Sequence, residues 1–173
     1  MTILIRQALP EDAAALAAIA SGVTEEGFGL VSPEEVTHTT DAMEQRIIAV
    51  RNDPRSLFLT AESDGQPVGS LIFQRSTQVK YVHHGSFGMS LAPSSRGAGI
   101  GRKLMEELLS WAAEAPGLEK ITLEVLAENT AARSLYKQFQ FEEEGRLRRH
   151  VYYQGAYDDL ILMALFLNQE NRV

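Results

Sequence analysis

The sequence predicts a single α/β domain over residues 1–173, with a mixed, mostly antiparallel central sheet of about seven strands flanked by about four helices. Three observations carry this prediction. The dipeptide Asp64-Gly65 joins two strand-like runs as a tight antiparallel hairpin, and Gln154-Gly155 does the same near the C-terminus. Between the two hairpins the order is strand, helix, strand, helix, so the sheet needs crossovers as well as hairpins. Strands and helices alternate along the whole chain without repeats or low-complexity linkers.

Each element has its own local reason. Residues 3–8 read as a short strand, and Pro10 opens a helix to Ala20 with Glu11 and Asp12 in the first turn, where the helix dipole favours acids. Residues 22–31, which include Gly27 and Gly29, read as a flexible connection. Ser32-Pro-Glu-Glu35 has a cap, a proline at the first helical position and a glutamate placed for a capping box, so a second helix is expected to run to about Arg51. Residues 57–62 and 68–74 form the first hairpin, and residues 81–91 a further strand. Residues 101–115 place Leu104, Met105, Leu108, Leu109, Trp111 and Ala112 on one helical face. A strand over residues 121–126 leads to Asn129, which caps a helix carrying Ala132, Leu135, Tyr136 and Phe139. Residues 146–153 and 157–167 are the last hairpin.

Composition excludes several classes of function. At 173 residues and 45% hydrophobic, the chain is long enough to bury one core. It has no cysteine, so a disulfide framework, thiolate metal ligands and a cysteine nucleophile are excluded, and no metal is expected. The start at Met1 lacks the features of a signal peptide, and no apolar run is long enough for a bilayer. A cytoplasmic protein with no membrane partner is therefore expected. The net charge of −7 argues against a general nucleic-acid binder, which needs a basic surface to displace counterions.

The chemistry concentrates where the strand ending at Leu91 gives way to the next helix, through Arg96, Gly97, Ala98, Gly99, Ile100, Gly101, Arg102 and Lys103. Small residues let the backbone approach a ligand, and an opening helix aims unpaired N–H groups at an anion. Three cations at a helix start oppose the dipole, which makes sense if an anion sits between them. On spacing alone, the segment reads equally as a glycine-rich turn with solvated basic residues. It is neither a Walker loop nor a dinucleotide fingerprint, because the lysine-serine/threonine ending and the first-strand context are missing.

Arg96-Gly-Ala-Gly99-Ile-Gly101 resembles the R-x-x-G-x-G pyrophosphate loop of the GNAT superfamily of N-acetyltransferases. Residues 124–141 resemble the same family's V-x-x-x-N-x-x-A-x-x-L-Y-x-x-x-G-F segment through Asn129, Ala132, Leu135, Tyr136 and Phe141. Gln140 departs from it, standing where the family usually has glycine; that puts the local helix exit under strain or reroutes it. The pattern is similar to the group of L-amino acid N-acyltransferases and phosphinothricin-type acetyltransferases.

The resemblance implies acetyl-CoA as co-substrate and assigns roles. Met89, Ser90 and Leu91 would pair with the pantetheine arm, and an N–H of Leu91 or Met89 would polarise the thioester carbonyl. The amides from Arg96 through Arg102 would hold the pyrophosphate, with Asn129 and Ala132 near the pantetheine. Tyr136 would protonate the departing thiolate, although its residue pattern alone reads as core. His83 is the first candidate base for the acceptor amine, with His84 on the opposite strand face and Glu124 as the alternative.

Glu25, Glu26 and Phe28 lie in the connection that lines the acceptor side in this superfamily, which His83 would also touch. A small amino-acid-like acceptor is the first expectation, its carboxylate meeting Arg148, Arg149 or His150. Protein N-termini of the ribosomal type and polyamines are alternatives; an inactive acyl-CoA-binding regulatory module is a different class. The resemblance makes a homodimer the assembly to look for.

Overall fold

Leu57 to Ala61 is buried at every position, the pattern of a strand with neighbours on both edges and packing on both faces. In the computed structural model, which describes residues 2–35 and 38–167, this strand is β2 (Leu57–Ser63), between β1 (Ile3–Gln7) and β3 (Gln66–Arg75). The other strands are β4 (His84–Leu91), β5 (Lys120–Leu126), β6 (Glu142–Tyr153) and β7 (Ala156–Phe166). The helices are α1 (Ala13–Glu25), α2 (Thr40–Arg51), α3 (Ile100–Glu114) and α4 (Thr130–Gln138). The sheet order is β1-β2-β3-β4-β5-β7-β6, with β4–β5 parallel and the β1–β2, β2–β3, β5–β7 and β6–β7 pairs antiparallel. The expected mixed, mostly antiparallel seven-stranded architecture is the one observed.

Two compact units are interleaved along the chain: residues 1–74 with 88–108, and residues 75–87 with 109–173. In the first, Ala8, Ala13, Leu16, Ala17, Met43, Ile47, Val50 and Phe58 form a buried cluster. Asp12 is buried beside it because Arg6 donates to its two oxygens at 2.7 and 2.8 Å and the Leu9 amide donates at 2.8 Å. The β2–β3 hairpin turns on Asp64 (φ 49°) and Gly65 (φ 84°), left-handed at both central positions as its sequence required.

Two helix boundaries differ from expectation. The first helix continues past Ala20 to Glu25, where the Thr24 hydroxyl donates to Ala20 O at 2.9 Å and absorbs a polar group into the last turn. The second begins at Thr40 rather than Ser32, with Thr39 Oγ1 accepting from Ala42 N at 3.1 Å. The Ser32 signal makes only a local turn, its N–H donating to Glu35 Oε2 at 3.1 Å. Residues 36 and 37 of the expected helix lie outside the described residues. The cap that holds a helix is Thr39, whose side chain reaches the Ala42 amide.

In the second unit, β5 pairs with β7 from Lys120↔Phe166 to Leu126↔Leu160, and β6 is the outer strand. The segment expected to extend β4 back to residue 81 is a short 3₁₀ turn, Val79–Tyr81, followed by a bend through His83. At the end of α4, Gln140 N donates to Lys137 O at 3.0 Å and Phe141 N to Tyr136 O at 3.1 Å, which is a Schellman closure. Gln140 takes φ 65° there, so the chain keeps the glycine-type exit and bears its strain. Among the described residues, no helix is long and apolar enough to cross a membrane, and no cluster of side chains suits a metal ion.

Candidate active site

In the first unit, Pro93–Ser95 makes a 3₁₀ turn after β4, and Gly97 (φ 75°) and Gly99 (φ 78°) then swing the chain into α3. Arg96 N donates to Pro93 O at 3.3 Å, and Lys103 N to Gly99 O at 3.2 Å. Helical bonding thus begins at Gly99, and the amides of Gly97, Ala98 and Gly99 have no described backbone acceptor. A Cβ at either glycine would meet no atom within 4 Å. The loop therefore presents N–H groups without a backbone acceptor to open space at a helix start, an arrangement suited to an anion. Ile100 and Gly101 are buried beneath it, and Arg102 lies exposed on the first turn of α3.

The Arg96 side chain turns away from the loop. Its Nε and Nη2 donate to Leu91 O at 3.3 and 3.1 Å, and Nη1 meets Glu26 Oε2 at 2.6 Å. The guanidinium also lies 5.8 Å from the Phe28 ring centre. Its charge is thus shared between the end of β4 and the connection after α1, and the backbone rather than this side chain is left to receive an anion. Glu25 ends α1, and Phe28 is 43% exposed although it stacks on Arg96. Met89, Ser90 and Leu91 are half-buried at the end of β4. Their packing depends on Gly69 of β3, where a Cβ would lie 3.0 Å from Ser90 O and collide with the Leu91 side chain. Sequence reading passed over Gly69; a glycine inside a strand pattern was the available signal.

In the second unit, Asn129 caps α4 through Oδ1, which accepts from Ala132 N at 3.2 Å. Tyr136 lies seven residues on, about two turns along. Its ring packs edge-on against Phe87, centroids 5.6 Å apart, and at a tilt against Phe141, 6.2 Å away. Burial pushes its phenol up to about 12. The residue is 7% exposed, so its ring belongs to the core of this unit.

The two candidate bases do not converge on one point. His83 sits in the bend before β4, its carbonyl accepting from Glu119 N at 2.8 Å and Lys120 N at 3.2 Å, at the start of β5. Glu124 is exposed four residues further along β5, roughly 13 Å of strand. His84 opens β4 opposite Lys120, its ring 5.1 Å from that of His83. Burial lowers its pKa, helped by the charges of His83 and Lys120 against that of Glu144. The parallel register puts Glu124 on the sheet face of Ser86 and Thr122, and Phe87, which carries Tyr136, on the other.

At the hairpin of β6 and β7, Asp158 is structural: Oδ2 accepts from Glu128 N at 3.3 Å and Oδ1 from Asp159 N at 2.7 Å. Asp159, not singled out in the sequence, accepts from Arg146 Nε and Arg149 N, both at 2.6 Å.

A model of the acetyltransferase (GNAT) family matches residues 24–141. The L-amino acid N-acetyltransferase AaaT of Escherichia coli K12 is 29% identical over 130 residues, 75% of this chain and 79% of that one. A spermidine N(1)-acetyltransferase of Vibrio cholerae is 33% identical over 97 residues, but the match spans only 53% of this chain and 56% of that enzyme. Among solved structures, yncA from Salmonella typhimurium, determined with acetyl-CoA, superposes with a TM-score of 0.90 at 21% identity, covering 100% of this chain and 98% of that one, and so shares its fold. With the family match spanning most of the chain and the loop and capped helix in the positions the motifs require, this protein belongs to the GNAT family of acetyltransferases.

Proposed function

We propose that this protein is an acetyl-CoA-dependent N-acetyltransferase whose acceptor is the primary amine of a small amino-acid-like molecule, attacking the thioester directly. The observation that carries the proposal is the open loop of Gly97, Ala98 and Gly99 amides at the start of α3, a fit for the pyrophosphate of acetyl-CoA. Acetyl-CoA supplies the activated acyl group and the thiol leaving group. On the family's pattern the backbone of Met89 to Leu91, at the end of β4, would hold the pantetheine arm and donate an N–H to the thioester oxygen, and Asn129 and Ala132, at the start of α4, would be its further contacts. The Tyr136 hydroxyl donates to the sulfur as the C–S bond breaks and the C–N bond forms. The proton lost from the amine passes to a base. We place Glu124 ahead of His83 in that role, because Glu124 lies toward the end of β5 that leads into Asn129. Glu124→Gln should then displace the acidic limb of the rate–pH profile and His83→Gln should not.

For the acceptor, the pairing of Glu26 with Arg96 at 2.6 Å spends a carboxylate that a polyamine would need. The likeness to AaaT, an L-amino acid N-acetyltransferase, supports the same choice. The likeness to a spermidine acetyltransferase keeps polyamines as the competing acceptor class. The reading takes the protein as cytoplasmic and homodimeric; sedimentation equilibrium tests the dimer. Thiol release across amino acids, polyamines, aminoglycosides and N-terminal peptides tests the whole. Turnover restricted to polyamines or peptides would replace the acceptor. Tight acetyl-CoA binding without release to any amine would make the protein a binding module.

A further inference from the structure

The outer strand β6 breaks its ladder with β7 twice, between Glu143 and Gly145 and, more widely, between Leu147 and Val151. Leu147 pairs with Leu160 and Val151 with Asp158, so Arg148, Arg149 and His150 stand opposite the single residue Asp159. Extra residues in one strand of a pair re-aim side chains, and bulges recur beside sites. This one is held in a costly shape: Arg149 has φ 52°, a region that a non-glycine residue enters only when its surroundings over-determine it. The surroundings are visible. Asp159 accepts from Arg149 N and from Arg146 Nε, both at 2.6 Å, and the Arg149 guanidinium lies 4.1 Å from the Tyr157 ring centre.

These contacts sort the basic side chains. Arg146 is spent on Asp159, and Arg149 is laid on Tyr157. Arg148 and His150 make no hydrogen bond or ion pair among the described residues, and both are exposed. Arg146, Leu147, Arg148, Arg149, His150 and Asp159 line an open groove of about 630 Å³. The carboxylate in its wall, Asp159, already serves two donors, so the groove presents net positive charge from a fixed scaffold. It also adjoins the turn that leads into α4: Asp159 O accepts from Ala127 N at 2.9 Å, and Asp158 Oδ2 accepts from Glu128 N, immediately before Asn129.

We propose that this bulge is a carboxylate-binding site, with Arg148 and His150 as its ligands and Asp159 as the residue that fixes its shape, and that it takes the carboxylate of the acceptor. A guanidinium offers two parallel N–H donors to a carboxylate, and the imidazole beside it adds a third. This rests on the amino-acid reading of the acceptor and adds to it the group recognised.

Calorimetry with an N-acetyl-L-amino acid and its primary amide, in the presence of CoA, tests the site without turnover. The wild type should bind the acid more tightly than the amide. Arg148→Gln and His150→Gln should each weaken acid binding, Arg148→Gln by roughly 10- to 100-fold, the scale of a charge-assisted hydrogen bond. Binding of the amide and of acetyl-CoA should not change, and Arg148→Lys should recover part of the loss. Equal affinity for acid and amide in the wild type, or equal losses for both in Arg148→Gln, would overturn the site. The amine panel fails independently. If amino acids are acetylated but Arg148→Gln binds the acid normally, the bulge assignment alone is wrong. If acid binding depends on Arg148 while no amino acid is acetylated, the acceptor reading falls and the carboxylate site stands.

Discussion

Tyr136→Phe deletes one hydroxyl and keeps the ring that Phe87 and Phe141 pack against. Because the variant keeps that packing, the melting temperature should hardly change. The size of the catalytic loss follows from the burial of the ring. With the phenol pushed up to about 12 and a thiol near roughly 8.5, complete proton transfer would run uphill by about 3.5 pH units, or ~5 kcal/mol. Tyr136 should therefore act by hydrogen bonding to the developing thiolate more than by surrendering its proton. A hydrogen bond to a charged group contributes ~1.5–3 kcal/mol, so single-turnover acetyl transfer should slow by about 10- to 150-fold. Rapid-quench measurements with acetyl-CoA should show this loss, and it should shrink for an acetyl thioester whose thiol is more acidic. The loss should also be level with pH well into the alkaline range, because the donor stays protonated. Wild-type single-turnover rates in the variant would refute the argument and return Tyr136 wholly to the core.

Four further outcomes are expected. Gly99→Ala should cost ~1–2 kcal/mol of stability from its left-handed φ, as should Gly65→Ala in the first hairpin, where a Cβ also meets open space. Only the Gly99 variant should lose acetyl-CoA affinity by calorimetry, and equal affinities would remove the pyrophosphate assignment. Burial alone would raise the Asp12 carboxyl, but the hydrogen bonds from Arg6 and Leu9 and the Arg6 charge outweigh it and hold the group below its ordinary value. Its contribution should be complete above the unfolded carboxyl range and be lost as pH falls through the lower folded value. Asp12→Asn should thus cost ~2 kcal/mol in urea titrations at neutral pH and progressively less in acid. Gln140→Gly should stabilise the protein by ~1 kcal/mol in the same assay, by relieving φ 65°. Because the Tyr136 phenol titrates higher when folded than unfolded, its contribution is complete below roughly pH 10; the wild type should lose ~2–3 kcal/mol between about pH 10 and 12, and Tyr136→Phe should not.

Much of the fold was legible because its signals act over a few residues. Asp64-Gly65 and Gln154-Gly155 turn the two hairpins with both central residues left-handed, a demand that their own backbones state. Asn129 caps α4 from three residues away, and the apolar stripe of α3 reads directly as a helix. The glycines between Arg96 and Gly101 announced an open loop, and the loop is open. The Ser32 cap misled because a local signal was judged alone, whereas the chain had a second cap at Thr39.

The sequence by itself determined the order of strands and helices, their turns and caps, and the place of the loop at the start of α3. Each of these rests on the backbone preferences of neighbouring residues. Tertiary structure decided which side chains were already spent. Arg96 finds Glu26 seventy positions away, and Asp159 holds Arg146 and Arg149 from the facing strand, leaving Arg148 and His150 without such bonds among the described residues. It also decided that Gly69 makes room for Leu91 and that the Tyr136 ring packs into the core against Phe87 and Phe141. Partners distant in the chain carry no local signature, because what joins them is a distance in space that only the assembled sheet creates.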